Sequence, residues 1–258
     1  MTEPQAAKVR AQFGAAAEAY VTCAGFAAGD DLAQLVAWGR TAEPDRVLDV
    51  ATGGGHTALA FSSLARSVTA LDLTEPMLGA AARHVRGSGA ANVDFLAAEA
   101  ERLPFRAGVF DVVTCRIAPH HFADVPAAVG QAARVLRPRG LLLLEDILGH
   151  DDPAAASFIT EVERQRDPSH VRAYRGSEWT AYLAAAGLTV TDRATMRRVR
   201  VWDQWTGMMR MAPADKSRLE RFVLDTAPAV RAPFDFKISG DRIESFSDGL
   251  ILLRARKG

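Results

Sequence analysis

Residues 47–58 run Val-Leu-Asp-Val-Ala-Thr-Gly-Gly-Gly-His-Thr-Ala: a short apolar strand breaks into three consecutive glycines and resumes as a helix. That succession constrains the fold more than anything else in the chain. Glycines permit a tight turn and let a ligand approach the backbone, while the following helix turns free N–H groups towards it. A loop of this kind holds a nucleotide-like group at the carboxyl edge of a parallel sheet. Read alone, Gly53-x-Gly55-x-x-Ala58 also satisfies the dinucleotide fingerprint, with Asp72 near the spacing of about 20 residues that the fingerprint expects. The glycines by themselves leave the kind of cofactor open.

The surrounding pattern predicts the rest of the architecture. Apolar, β-branched runs at residues 47–50, 68–73, 93–96, 109–115 and 141–144 alternate with helical stretches at 56–65, 76–86 and 124–136. Buried strands alternating with amphipathic helices predict an α/β fold, a doubly wound parallel sheet with helices on both faces. Before it, apolar residues at helical spacing predict two helices over residues 5–39. After Asp146 the pattern loosens. Asp152-Pro153 opens a helix, Ser177 caps another that Gly187 ends, and a strand runs over 188–201. Residues 202–230 read as helical; their Trp202, Trp205, Met208, Met209 and Met211 suit either the wall of an apolar pocket or core packing. A Ser239-Gly240-Asp241 turn then joins two strands in a closing hairpin. We expect one domain over 1–258, with a helical lid at 1–40, a cofactor core at 45–147 and substrate-side elements at 148–258.

Composition narrows the function classes. Thirty-one basic residues balance thirty-one acidic ones, so no net field draws the chain to nucleic acid or an anionic membrane. The cluster Arg193, Arg197, Arg198, Arg200 reads as the polar side of a strand. The apolar run at 141–144 is far too short to span a bilayer, and no apolar stretch follows the first charges as a signal peptide requires. Two cysteines, Cys23 and Cys115, make neither a disulfide framework nor a zinc site. The expectation is a cytoplasmic protein with no nucleic acid and no membrane as partner; whether it forms a homodimer is left open.

The acids discriminate between cofactors. Asp49 ends the first strand beside the glycine turn, where a carboxylate suits an ammonium group and repels a pyrophosphate. Asp72 ends the second strand, placed to accept both hydroxyls of a ribose, or else to cap the next helix. Asp49-x-Ala51-x-Gly53-x-Gly55 resembles the first motif of class I S-adenosylmethionine (SAM) dependent methyltransferases, with Ala51 in place of the usual first glycine. The segment 98–105 (Ala-Glu-Ala-Glu-Arg-Leu-Pro-Phe) resembles the family's adenine-holding segment, with Glu99 where Asp is commoner. Residues 110–113 and 134–140 resemble its fourth strand and the run into the fifth, the usual Pro-Gly-Gly becoming Pro138-Arg139-Gly140. The closest group is the ubiquinone/menaquinone-biosynthesis-like small-molecule enzymes.

This resemblance implies a Rossmann-like seven-stranded sheet, mostly parallel with an antiparallel C-terminal strand. It implies SAM as cofactor, S-adenosylhomocysteine (SAH) as product, and a cofactor site drawn from Tyr20, Asp49, Ala51, Thr52, Gly53, Gly55, Asp72, Leu73, Met77, Glu99, Ala100, Cys115 and Arg116. Tyr20 resembles the family's lid tyrosine. Arg116 either meets the cofactor's carboxylate or caps its loop. The reaction expected is methyl transfer to carbon, nitrogen or oxygen of a small organic acceptor. His120 and His121, in the loop after the fourth strand, and Asp146, after the fifth, are the catalytic candidates, since histidine titrates near neutrality. The pairing of such a His with such an Asp comes from related O-methyltransferases. No metal site is expected, His56, His84, His150 and His170 being scattered singly. The polar run 167–172 reads as a solvated turn, or as a reader of an anionic substrate group through His170 and Arg172. Two rival functions remain at this point, an NAD-dependent oxidoreductase and a SAM-binding protein without catalysis.

Overall fold

The computed structural model describes residues 3–22 and 24–258, so Cys23 lies outside the described residues. Three helical segments, rather than two, open the chain: α1 (Glu3–Thr22), α2 (Ala24–Ala27) and α3 (Asp30–Arg40). The alternating part follows as β1 (Arg46–Val50), α4 (His56–Ser62), β2 (Ser67–Asp72), α5 (Glu75–Gly87), β3 (Val93–Ala97), β4 (Phe110–Arg116), α6 (Val125–Val135) and β5 (Leu136–Ile147). Beyond it come α7 (Pro153–Arg166), α8 (Gly176–Ala185), β6 (Leu188–Val201), α9 (Trp202–Met208), α10 (Pro213–Asp225), α11 (Pro228–Arg231), β7 (Lys237–Ser239) and β8 (Arg242–Lys257).

The strands lie in the order β3-β2-β1-β4-β5-β8-β6. β1 to β5 pair in parallel, and β8 runs antiparallel between β5 and β6. An eighth strand beyond the seven expected, the short β7, pairs with β8 across the hairpin turn. The order reverses between β1 and β4, and ligands of open α/β sheets settle outside the carboxyl ends at such a point. Successive residues of the central strands serve opposite faces. Val47, Val112 and Leu141 pack with Leu35, Phe61 and Val85 of α3, α4 and α5, while Leu48, Val113 and Leu142 pack with α6 and α8. That two-residue period, with both faces covered, is why these strands read as continuous apolar runs.

The elements beyond β5 build a separate apolar cluster. Trp202 and Trp205 are buried with Phe158, Val162, Leu219 and Phe246, so they pack a core rather than line a pocket. Asp152 caps α7 by accepting from the backbone of Ala154 and Ala155. α8 starts one residue ahead of Ser177: the carboxylate of Glu178 reaches back to the Arg175 N–H at 3.0 Å and takes over the expected capping role. The arginines of β6 divide by pleat. Arg193 and Arg197 face out, whereas Arg198 and Arg200 turn in and both grip the buried Asp248.

Candidate functional site

The turn after β1 is closed by backbone bonds, Thr52 N–H to Leu71 O and Gly55 N–H to Thr52 O, both at 2.9 Å. A Cβ at Gly55 (φ +83°) would stand 2.9 Å from Val85 of α5, so glycine here lets α4 start against that helix. At Gly54 a Cβ would come within 2.9 Å of the Tyr20 carbonyl, because the end of α1 lies directly over the turn. The same carbonyl accepts from His56 Nε2 at 3.1 Å. Ala51 holds φ +55° without being glycine. Asp49 lies one layer below: its two oxygens accept from the hydroxyls of Thr52 and Thr114, each at 2.6 Å, and burial pushes its pKa up to about 6.

Asp72, at the end of β2, accepts from Gly53 N–H at 3.0 Å and Thr74 N–H at 2.9 Å. Two backbone bonds leave lone pairs on both oxygens. Its carboxylate forms one wall of a narrow cleft of about 80 Å³. Ala51, Gly53, Leu73, Met77 and Ala100 line this cleft, and α1 closes it with Tyr20, Phe13 and Val9. Glu99 sits in an adjoining groove beside Leu73 and Thr74. An acid for vicinal hydroxyls beside a slot of Leu73, Met77, Ala98 and Phe122 fits a nucleoside. That set, with no Arg or Lys among the lining residues, suits the adenosine and methionine ends of SAM better than a pyrophosphate, which the carboxylate of Asp72 repels.

Cys115 and Arg116 do not reach the cleft. The Cys115 thiol is buried in the sheet, which pushes its pKa well up. Arg116 gives its nitrogens to Glu145 at 2.9 Å, to the Phe26 carbonyl at 3.0 Å and to Asp31. It therefore ties α2 and α3 to the ends of β4 and β5. Ile117, next along, is a β-branched residue at φ +51°. Such a conformation costs energy and concentrates at functional sites, and Ile117 indeed lines the cleft.

A short 3-10 turn, Pro119–His121, carries the two histidines away from β4. His120 Nδ1 meets Asp146 Oδ1 at 2.5 Å, both buried. Burial holds the His120 imidazole well below its usual pKa and pushes Asp146 up to about 8. His121 lies with its ring centroid 4.1 Å from that of His120, lines the cleft and meets Phe13 edge-on at 4.9 Å. The structure thus brings His120, His121 and Asp146 together, with His121 alone of the three on the cleft wall.

His170 is not isolated: its ring lies 5.2 Å from His120, and burial lowers its pKa too. Asp167, Ser169 and His170 are buried, so the polar run is no solvated turn. Arg172 lies over the Tyr174 ring and pairs with Glu178, away from the cleft. His56 and His84 also stack edge-on at 4.7 Å. Among the described residues no group of three or more His, Cys, Asp or Glu side chains can hold a metal ion. Sequence reasoning missed Phe13, Ile117, Asp167 and Ser169. The adjacency of an acid, a hydroxyl and an imidazole over 167–170 was the one available signal.

Residues 48–144 match the methyltransferase domain family. An uncharacterized methyltransferase of Bacillus subtilis is 39% identical over 193 residues, 75% of this chain and 76% of that protein. A ubiquinone biosynthesis O-methyltransferase of Rhizobium etli is 33% identical over 171 residues, 64% of this chain and 68% of that one. The crystal structure of a Bacillus halodurans protein described as a candidate methyltransferase superposes with a TM-score of 0.86 at 36% identity, covering 89% of this chain and 99% of that one. With the cleft, the strand order and these likenesses in agreement, the chain belongs to the class I SAM-dependent methyltransferases, enzymes that move a methyl group from SAM to a small organic acceptor and leave SAH.

Proposed function

We propose that the acceptor atom is the oxygen of a hydroxyl group on a small, flat, apolar molecule, and that the His120–His121–Asp146 assembly removes its proton. The observation that carries this reading is His121 on the cleft wall with the His120–Asp146 couple, 2.5 Å between its atoms, directly behind it. A carbon or amine nucleophile already carrying a free electron pair needs no base, whereas a hydroxyl loses its proton as it attacks. Phe13 and Phe122, which line the cleft with His121, supply apolar surface for such an acceptor. The O-methyltransferase from Rhizobium etli lends the same direction.

Bound SAM supplies a methyl group on a positively charged sulfur, whose bond electrons return to sulfur as the methyl leaves. In this reading Asp72 takes the ribose hydroxyls, Leu73, Met77 and Ala100 enclose the adenine with Glu99 at its rim, and Tyr20, Ala51 and Gly53 bound the methionine end. Asp49, Thr52 and Gly55 hold the turn in shape, with Cys115 and Arg116 fixing the end of β4. α1 excludes water and holds acceptor and methyl in line, which is most of what such a displacement requires. The acceptor's O–H bond breaks towards His121, and the proton passes to solvent when the product leaves. Balanced charge supports a cytoplasmic enzyme without a nucleic-acid partner, and no helix among the described residues is long and apolar enough to cross a membrane. With a hydroxyl acceptor, changing His120, His121 and Asp146 together should lower kcat by about 10²–10⁴-fold while SAH still binds. Undiminished turnover in that triple variant overturns the base assignment.

A further inference from the structure

We propose that Asp167 and Ser169 are positioning residues for His121: the Ser169 hydroxyl, donating to Asp167 and accepting from His121 Nδ1, holds the imidazole in the tautomer whose Nε2 is bare and able to take the acceptor's proton. The inference rests on the reading of His121 given above and adds a second carboxylate to the site, distinct from Asp146.

The hydrogen count sets the tautomer. Ser169 Oγ lies 2.5 Å from Asp167 Oδ1, and the Ser169 backbone N–H reaches the same oxygen at 2.9 Å. An ionised carboxylate only accepts, so the single hydroxyl hydrogen of Ser169 is committed to Asp167. The lone pairs left on Oγ face His121 Nδ1 at 3.1 Å. Nδ1 must then carry the ring's hydrogen, and Nε2 is left bare.

The other oxygen of Asp167 completes the argument. Oδ2 is buried without a hydrogen-bond partner among the described residues, and it stands 3.9 Å from His121 Nε2. While Nε2 is bare that oxygen lacks a partner, a cost that the Ser169 bonds to Asp167 must offset and that is relieved when a proton arrives on Nε2. A proton moving from the acceptor oxygen to Nε2 makes an imidazolium whose charge Asp167 offsets at once. Burial alone would raise the Asp167 pKa, but the field of His121 and the Ser169 bonds hold it below its usual value.

The segment is fastened to the histidine turn from both sides. Val171 N–H bonds the His120 carbonyl at 2.8 Å. The Gln5 amide of α1 donates to the His121 carbonyl at 2.9 Å and the Ser169 carbonyl at 2.6 Å. When α1 seats over the cleft it therefore clasps the base and its support together. The titratable or charged groups facing His121 are His120, Asp146, His170, Arg166 and Asp167.

Long-range ¹H–¹⁵N correlation on histidine-labelled protein saturated with SAH reads the tautomer directly, with His121 assigned through His121→Gln. The expected wild-type pattern has Nδ1 protonated and Nε2 bare. Ser169→Ala should move His121 towards the Nε2–H tautomer, Ser169→Thr should restore the wild-type pattern, and Asp167→Asn should keep the tautomer while lowering the His121 pKa by about one unit or more. A wild-type His121 protonated at Nε2, or a pattern indifferent to Ser169→Ala, overturns the proposal even if the Ala variant alone fails to fold. Calorimetry with SAH on the same samples separates the two readings: absent SAH binding breaks the cofactor assignment, whereas retained binding with the wrong tautomer breaks only this one.

Discussion

Ala51 sits at φ +55°, in the left-handed region where a Cβ crowds the following carbonyl. That conformation costs roughly 1–2 kcal/mol for a residue with a side chain, partly offset by the chain entropy that glycine loses on folding. Ala51→Gly should therefore raise the melting temperature by a few degrees and leave SAH affinity intact; a lower melting temperature would show that the turn is relaxed as it stands. Asp72 makes the opposite case. Asp72→Asn puts an NH₂ group against the N–H of Gly53 or Thr74 and removes a charged acceptor, so calorimetry should find SAH bound about 10–100-fold more weakly. Both residues could be read in the sequence because their work is local, a turn and the strand end beside it. Ser169 could not. Polar runs look alike whether solvated or buried, and its burial depends on Gln5, 164 positions away.

Among the elements, α1 decides whether the cleft is closed. Its far end rests on the glycine turn, where a Cβ at Gly54 would meet the Tyr20 carbonyl at 2.9 Å. Gly54→Ala should lift that end. Hydrogen exchange over Glu3–Thr22 should then speed up while amides of β1 and β4 stay protected, and SAH should dissociate faster. Unchanged exchange in α1 would mean that the helix adapts without opening. The core strands were legible from their apolar runs, yet β5 begins five residues before the run at 141–144 and continues beyond it. Its start at Leu136 pairs with Phe110 of β4, and its seven-residue pairing with β8 carries it on to Ile147; no local pattern announces a partner more than a hundred residues on. The inward turn of Arg198 and Arg200 was hidden for the same reason: their partner Asp248 lies across the strand pair.

At the scale of the molecule, buried charge gathers in two places: Asp146, Asp167 and Glu163 near the histidines and Arg198, and Glu145 with Arg116 and Asp31 of α3. Burial pushes Asp146 and Glu145 up to about 8 and Glu163 up to about 7, while His120, His121 and His170 fall. Above about pH 6.5 ordinary histidines of the unfolded chain are already neutral and its carboxylates ionised. The folded state there still binds protons on Asp146, Glu145 and Glu163 that the unfolded state has lost, so stability must fall as pH rises towards and through 8. Below about pH 6.5 the histidines act the other way, since the unfolded chain takes up protons that the buried rings refuse. Thermal melts should show the midpoint falling between about pH 6.5 and 8, by about 2–4 °C for each kcal/mol lost. A midpoint that climbs from pH 7 to 9 would show those carboxylates to be ionised in the native protein.

The placement of β8 has a consequence for how the chain is made. Among the described residues β6 pairs with no strand but β8, and β5 finds its outer neighbour there. During synthesis β1 to β5 can pair as they emerge, yet β6 must wait with its hydrogen-bonding groups unmatched until residues 242–257 leave the ribosome and slide in between. The sheet is thus assembled from its middle outward and locked by a late insertion, and a nascent chain stalled before that segment would expose the flanks of β5 and β6 to any strand that can pair with them.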